Sequence, residues 1–124
     1  INDKKQITEV RGTQTTIKYS YNTNGSLSKM EGYENGSLIG SANYTYDNKN
    51  GVFSSANVPN YFWFIFPETD KLYYLYKNNA TKIAYQEEYS YNINISYDYN
   101  TNDYPTKAIV TTPSGNVIYK ASYY

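Results

Sequence analysis

The sequence predicts an all-β domain, folded as one strongly curved antiparallel sheet or half-barrel of about eight strands. Three observations favour this class. Apolar and polar residues alternate with a period of two over long stretches, as they do in a half-buried strand. The 124 residues include 18 Tyr and 16 Asn, which suit pleated strands and tight turns respectively. A tyrosine-rich turn pattern also recurs along the chain.

We expect the strands in sequence order, with short turns and antiparallel neighbours. They are placed near 6 to 11, 14 to 21, 26 to 33, 37 to 46, 80 to 91, 93 to 99, 105 to 112 and 116 to 124. Turn residues such as Glu34-Asn35-Gly36 and Pro113-Ser114-Gly115-Asn116 separate several of them.

The clearest alternation runs from Ile83 to Tyr99, where most odd positions hold Tyr or Ile. A single strand of this length would span ~55 Å at about 3.3 Å per residue, which is longer than usual. We therefore expect either a long curved strand or a bend at Asn92 to Asn94 that keeps the phase. Both alternatives place one row of side chains on a common face. The row consists of Tyr85, Tyr89, Tyr91, Ile93, Ile95, Tyr97 and Tyr99.

The recurring turn pattern is a Tyr-x-Tyr pair followed by Asn or Asp. It occurs as Tyr19-Ser-Tyr21-Asn, Tyr44-Thr-Tyr46-Asp and Tyr97-Asp-Tyr99-Asn. In each copy two tyrosines on the same face end a strand, and the Asn or Asp side chain opens a turn. We call these three copies the tyrosine templates.

One stretch loses the alternation. Asn60 to Pro67 is apolar at every interior position, and Leu72-Tyr-Tyr-Leu-Tyr76 follows after a polar break. A sheet with one aromatic face needs a cover, so residues 58 to 78 are expected to cap that face as short helical or irregular pieces. A strand over 61 to 66 stays open, because a short apolar run fits either structure. The whole chain, 1–124, is expected to form one domain.

Composition excludes several classes of function. The chain has no Cys and no His, and its 11 basic and 11 acidic residues balance. A thiolate metal site is therefore excluded, and the basic surface of a nucleic-acid-binding protein is missing. Asp98 to Asp103 superficially resembles a calcium loop but lacks its Gly and final Glu, so turn capping explains it better. We expect no metal, no cofactor and no nucleic-acid partner.

Several of these motifs together resemble a known family. They are the tyrosine templates, Tyr46-Asp-Asn-Lys-Asn-Gly-Val-Phe53, Asn78-Asn-Ala-Thr-Lys82 and Tyr99-Asn-Thr-Asn-Asp-Tyr-Pro-Thr-Lys107. Over most of residues 14 to 124 the chain resembles secreted lipoproteins of gut Gram-negative bacteria, a family of unknown function with a porin-like fold. More distantly, the templates are similar to the YD repeats of large bacterial surface proteins.

The resemblance implies a cell-envelope location, in the periplasm or at the outer-membrane surface. It also implies a signal peptide and a lipid-bearing Cys upstream of Ile1, and it carries over no catalytic residues. A membrane-spanning barrel would hold aliphatic residues at mid-height. Here Tyr fills the strand middles and the mean hydropathy is −0.76. We therefore expect contact with a membrane only through that lipid anchor.

The tyrosine row has two possible interpretations. It can be a packed face whose hydroxyls bond to backbone or solvent, or a binding platform of rigid amphipathic rings. The candidate ligand-binding residues are Trp63, Tyr61, Tyr89, Tyr91 and Tyr97. Glu87 stands in phase with the tyrosines, where an unpaired carboxylate would be costly to bury, so we expect it at a bulge or an exposed edge.

Three functions follow, in order of preference. The first is a non-catalytic binding module for a glycan or protein ligand. The second is a structural β spacer without a ligand site. The third is a carbohydrate-active enzyme, which is disfavoured because no second carboxylate pairs with Glu87. A monomer or weak dimer is expected, with the segment Val117 to Tyr124 as a candidate pairing edge.

Overall fold

The computed structural model describes residues 1–52, 54–55 and 77–123. These form one eight-stranded antiparallel sheet, in which every strand pairs with its neighbours in sequence and the order is β1 to β8. The sheet is open, and the described residues contain no helix. The strands are β1 (Glu9–Arg11), β2 (Thr15–Tyr21), β3 (Leu27–Glu34), β4 (Ser37–Tyr46), β5 (Ala80–Gln86), β6 (Ser90–Tyr99), β7 (Pro105–Thr111) and β8 (Val117–Ser122). The predicted all-β meander of about eight strands is confirmed.

The break within the long alternating stretch lies elsewhere than expected. The prediction of a bend at Asn92 to Asn94 is wrong, because both residues lie within β6 and the turn occupies residues 87–89. In this hairpin Tyr85 pairs with Tyr91. Partner numbers in the hairpin add to an even number, so odd residues of both strands share a face. The alternation in the sequence therefore continues across both strands as if they were a single strand.

The first strand is also shorter than expected and begins at Glu9. Gln6, predicted as its first residue, is buried and has a different role. Its side chain donates to the Gly25 carbonyl oxygen at 3.3 Å and accepts from the Asn2 side chain at 2.8 Å. The N-terminal residues thus close over the β2–β3 turn.

Register places the apolar and aromatic residues on one side of the sheet. A ladder of directly opposed residues crosses five strands as Tyr19, Met30, Ala42, Tyr85 and Tyr91. The next residues along form the polar ladder Lys18, Glu31, Ser41, Gln86 and Ser90. Because successive side chains in a strand point to opposite sides, these two ladders define two faces. We call the first the tyrosine face.

Aliphatic residues occupy the centre of the tyrosine face. Its buried cluster is Ala42, Ala80, Ile83, Ile93, Ile95, Ala108 and Val110. Five tyrosines pack around this cluster and are partly buried, namely Tyr44, Tyr46, Tyr85, Tyr97 and Tyr123. The predicted aromatic cap over residues 58 to 78 lies, apart from Lys77 and Asn78, outside the described residues.

The turns between the strands lie at two opposite ends of the sheet. The connections β2–β3, β4–β5 and β6–β7 follow the three tyrosine templates and share one end, which we call the Asx end. The turn at 87–89 lies at the other end, which we call the Glu87 end, with the turns β1–β2, β3–β4 and β7–β8. Each template carries a register shift at its second tyrosine, so the same irregularity recurs on every even strand from β2 to β6.

Candidate functional site

Two glycines leave a gap between the side chains of the tyrosine face near the Glu87 end. Gly32 in β3 and Gly40 in β4 are directly opposed, and the register shifts next to them, between Gly32 and Tyr33. A methyl group added at Gly32 would meet the Ile39 side chain at 3.6 Å, which is ordinary contact. Neither strand therefore carries a side chain at this point in the face, where both glycines are partly buried and Ile39 is adjacent.

Glu87 lies directly over the second glycine. A Cβ added at Gly40 would stand 2.9 Å from the Glu87 Cγ and 3.2 Å from the Gln86 carbonyl oxygen. Only a residue without a side chain allows the β5–β6 turn to fold this closely against β4. Glu87 is exposed, as expected for a turn residue. The glycine thus holds the start of its side chain against the tyrosine face.

A pocket of about 350 Å³ forms around this glycine pair. Its lining residues are Met30, Gly32, Ile39, Gly40, Ser41, Ala42, Tyr85 and Glu87. Tyr85 forms an aromatic wall, and the Tyr91 ring stacks on it with centroids 4.7 Å apart and planes at 16°. Tyr91 remains 46% exposed, so the stacked pair projects from the packed centre toward solvent.

The charge in this pocket comes from Glu87. Of the described residues that line the pocket, it is the sole ionisable carboxylate, and none of them is Lys or Arg. Within residues 1–52, 54–55 and 77–123, no basic side chain forms an ion pair with it. In the described part of the chain, the pocket therefore combines a carboxylate that lacks an ion-pair partner with apolar and aromatic surface. We call it the Glu87 pocket.

A second and wider depression lies at the Asx end. It has a volume of about 710 Å³ and is lined by Tyr21, Asn22, Thr23, Asn24, Tyr44, Thr45, Tyr46 and Asp47. Its polar groups are engaged in the fold. The Tyr21 hydroxyl donates to the Ile7 carbonyl oxygen at 2.6 Å, and that of Tyr46 donates to the Leu27 carbonyl oxygen at 2.7 Å. These bonds make the depression a structural junction between hairpins.

Asp47 is the centre of that junction. Its carboxylate accepts from the backbone N–H groups of Lys49 at 3.0 Å and Asn79 at 3.1 Å, and also from the Tyr99 hydroxyl. Lys49 in turn contacts Asp103 at 2.7 Å. The β4–β5 connection is thereby joined to the β6–β7 turn.

Three template tyrosines have raised pKa values, and burial raises that of Tyr19. Partial burial, with a smaller contribution from neighbouring Tyr19, raises the pKa of Tyr21 to about 12. Burial also raises the pKa of Tyr99, and its hydrogen bond to Asp47 and the charge of that carboxylate raise it further. The environments of Tyr21 and Tyr99 both favour the neutral phenol, as a hydroxyl that donates to an oxygen requires.

The structure does not bring the predicted binding residues together at one site. Tyr89 is in the turn at 87–89, outside the strand row that was predicted to contain it, and is 75% exposed. Tyr91 lies in the stacked pair of the Glu87 end. Tyr97 is six residues further along β6, ~20 Å away at about 3.3 Å per residue, and its hydroxyl donates to the Ala80 carbonyl oxygen at 2.8 Å. Tyr61 and Trp63 lie outside the described residues.

Gly32 and Gly40 were missed as site residues. A signal for them exists, because an isolated glycine within a strand pattern marks a bulge or a close approach of backbone. Each stands alone inside such a run, in Met30-Glu-Gly-Tyr33 and Leu38-Ile-Gly-Ser41. The sequence does not reveal that they oppose each other, since their register depends on the turn between them.

The described part of the chain shows no group of three or more metal-ligating side chains. In the calcium-like segment, Asn100 instead accepts from the backbone N–H groups of Asn102 at 2.9 Å and Tyr104 at 3.1 Å. This is the geometry of an Asx-capped turn. Among the residues that the structure describes, no helix is long and apolar enough to cross a membrane.

Comparison with known proteins finds two solved structures that match this chain in part. No protein-family model matches this chain, and no curated protein matches its sequence. A porin-like protein from Bacteroides vulgatus has a similar structure, with TM-score 0.52 and 16% identity over 86% of this chain and 50% of that one. A porin-like protein from Bacteroides uniformis gives TM-score 0.44 and 14% identity over 97% and 65% of the two chains. This chain thus spans about half the length of the first protein, which shares its fold.

Proposed function

We propose that this domain is a non-catalytic binding module of a Gram-negative cell envelope, which takes its ligand at the Glu87 pocket. One observation carries the proposal. On the tyrosine face, the opposed pair Gly32 and Gly40 leaves a gap beside an aromatic wall and beside Glu87, a carboxylate without an ion-pair partner among the described residues. A concave apolar site with a few converging polar groups is the usual form of a small-ligand site.

The envelope location rests on two independent supports. The fold is similar to that of a porin-like protein from Bacteroides, a Gram-negative gut bacterium. The sequence motifs resemble those of secreted lipoproteins from the same kind of organism. We propose that a lipid anchor upstream of Ile1 holds the domain at the periplasmic or outer surface of the membrane.

A role in binding fits the pocket better than a role in catalysis. Hydrolysis of a glycosidic bond generally requires two carboxyl groups, about 5 to 10 Å apart, on either side of the bond. Among the described residues that line the pocket, Glu87 is the one carboxylate. Those residues include no second acid or base to activate water, so we propose binding without turnover.

A second candidate, the structural spacer, is favoured by the Asx end. There the tyrosine hydroxyls bond to carbonyl oxygens of neighbouring strands, and Asp47 connects two turns. Such groups stabilise the sheet and are not available to a ligand. If the Glu87 end binds nothing, this is the function that remains.

Titration followed by two-dimensional ¹H–¹⁵N NMR tests the proposal. The ligand panel contains gut glycans, host mucin fragments and charged small molecules, and emission from Trp63, the single tryptophan, gives a second signal. We expect shifts at the amides of Gly32, Gly40 and Glu87 with at least one ligand. Gly32→Ala, which fills the pocket floor, should abolish them, whereas Asn94→Ala on the polar face should not. Absence of shifts with every ligand would favour the spacer.

A further inference from the structure

We infer that the Glu87 pocket selects ligands that carry a positively charged ammonium group. The inference rests on the proposed function and specifies the chemistry of the ligand. Its basis is the charge and the lining of the pocket.

Four other acidic side chains of the described residues form ion pairs, and Glu87 does not. Glu31 pairs with Lys29 at 2.7 Å, Asp103 with Lys49 at 2.7 Å and Asp98 with Lys107 at 3.8 Å. Glu9 likewise pairs with Arg11. Glu87 has no such partner in the described part of the chain, and its neighbour Glu88 has none either. The turn therefore carries two negative charges without an ion-pair partner among the described residues, and of these only Glu87 lines the pocket.

The backbone fixes the position of this charge. Because Gly40 has no side chain, the Glu87 Cγ lies within 2.9 Å of the site where a Cβ would stand. The first carbons of the Glu87 side chain thus lie against Gly40, at the wall of the pocket. An ordinary surface glutamate samples many rotamers, and restricting them lowers the entropy lost on binding.

The remaining surface suits a cation that carries alkyl groups. Met30, Ile39, Ala42 and Tyr85 supply apolar, polarisable and aromatic contacts. Aromatic rings attract ammonium groups electrostatically, and a thioether adapts to irregular alkyl surface. An anion would meet the carboxylate and would find no basic side chain among the described lining residues. A volume of about 350 Å³ is at the small end for ligand sites, so one head group fits, as opposed to an oligomer.

The probe for this inference is tetramethylammonium, with tert-butanol as a neutral control of similar shape. Both are titrated into the ¹⁵N-labelled protein while the amides of Gly32, Gly40 and Glu87 are followed. We expect tetramethylammonium to bind at least about fivefold more tightly than tert-butanol, which is the scale of one partly exposed charge pair. Raising the salt concentration should weaken tetramethylammonium binding alone, because salt screens the charge.

Two substitutions in the same turn provide a matched comparison. Glu87→Gln keeps the shape and removes the charge that lines the pocket, and should reduce the affinity about fivefold. Glu88→Gln removes the neighbouring charge, which does not line the pocket, and should change the affinity less than twofold. Gly40→Ala, whose methyl group displaces Glu87, should weaken binding as Glu87→Gln does. An unchanged dispersion of amide signals in each variant shows that it remains folded.

The possible results separate this inference from the proposed function. Equal binding of tetramethylammonium and tert-butanol, or equal effects of Glu87→Gln and Glu88→Gln, would overturn the inference. A neutral glycan that shifts the same amides while tetramethylammonium does not would overturn it too, yet would leave the binding module intact. If neither the probes nor the ligand panel shift these amides, both the inference and the proposed function fail.

Discussion

At the scale of single residues, tyrosine hydroxyls in this chain connect strands. Tyr21, Tyr46 and Tyr97 each donate to a carbonyl oxygen 14 to 19 positions earlier in sequence. The ring packs on the tyrosine face while the hydroxyl reaches the backbone of an earlier segment. Phenylalanine could supply the packing alone. The abundance of Tyr over Phe, 18 against 4, is therefore consistent with a structural use of the hydroxyl at these positions.

Tyr46→Phe tests this use of the hydroxyl. The substitution keeps the ring and removes the donor to the Leu27 carbonyl oxygen, and Leu27 is itself buried. We expect the free energy of unfolding to fall by about 1 kcal/mol, the usual net value of one hydrogen bond. Urea denaturation measures it. Tyr89→Phe, in an exposed turn position, is the control and should change stability by less than about 0.5 kcal/mol.

The raised pKa values of Tyr21 and Tyr99 predict a loss of stability in alkali. Each phenol binds its proton more tightly in the folded chain than in the unfolded chain, where the pKa is 10.0. Stability is therefore fully present below about pH 10 and is lost as the pH rises through about 12. Urea denaturation at several pH values above 9 should show this fall. Tyr21→Phe should have a shallower dependence, and an identical dependence would contradict the assignment.

At the scale of elements, the tyrosine templates form the ends of β2, β4 and β6 and the start of the turns that follow. Each one places a tyrosine after a register shift and an Asn or Asp at the start of the turn. Since β2, β4 and β6 run in the same direction, all three turns meet at the Asx end. A local pattern repeated on alternate strands thus becomes a continuous edge of hydrogen-bonded turns.

Asp47→Ala should be the most damaging change at this edge. It removes the acceptor for two backbone N–H groups and for the Tyr99 hydroxyl, next to Asn79, which is only 2% exposed. Hydrogen bonds to a charged group contribute about 1.5 to 3 kcal/mol each, though not additively, so we expect a loss of about 3 kcal/mol. Chemical denaturation is the measurement. Asp98→Ala removes an exposed carboxylate 3.8 Å from Lys107 and should cost less than about 1 kcal/mol.

The opposed glycines give a matched pair of substitutions. Gly40→Ala places a methyl group 2.9 Å from the Glu87 Cγ and 3.2 Å from a carbonyl oxygen, so the turn at 87–89 must move. We expect a loss of about 1 to 3 kcal/mol. Gly32→Ala meets only Ile39 at 3.6 Å, and should be neutral or raise stability by up to about 1 kcal/mol. Equal thermal denaturation curves for the two variants would show that the turn does not pack on Gly40.

The strands could be read from the sequence because period-two alternation and Asn–Gly turn signals act locally. β4 was placed at its observed bounds for this reason. The turn at 87–89 could not be read, since Glu87-Glu-Tyr89 has no Gly, Pro or Asn and the hairpin preserves the odd positions. The Glu87 pocket could not be predicted from the sequence either. It depends on the pairing of Gly32 with Gly40 and on the contact of the β5–β6 turn with Gly40.

At the scale of the whole molecule, the sheet has a stable centre and two different edges. The buried aliphatic cluster lies on β4 to β7, whereas β1 has three residues and β8 is largely exposed. Val117, Ile118 and Tyr119 on β8 are exposed apolar residues next to a strand edge that is unpaired among the described strands. Such an edge is a potential pairing surface. The expected weak dimer through this segment stays a prediction.

The central claim is that one register gathers the aromatic and aliphatic residues on a single face of one open sheet. Cross-strand nuclear Overhauser effects test it most directly, because a slip of one residue would turn every side chain of a strand to the other face. We predict contacts between the rings of Tyr85 and Tyr91, and between the methyl groups of Met30 and Ala42 and of Ala108 and Ala121. Contacts that instead pair Tyr91 with Gln86, or Ala108 with Lys120, would contradict the account.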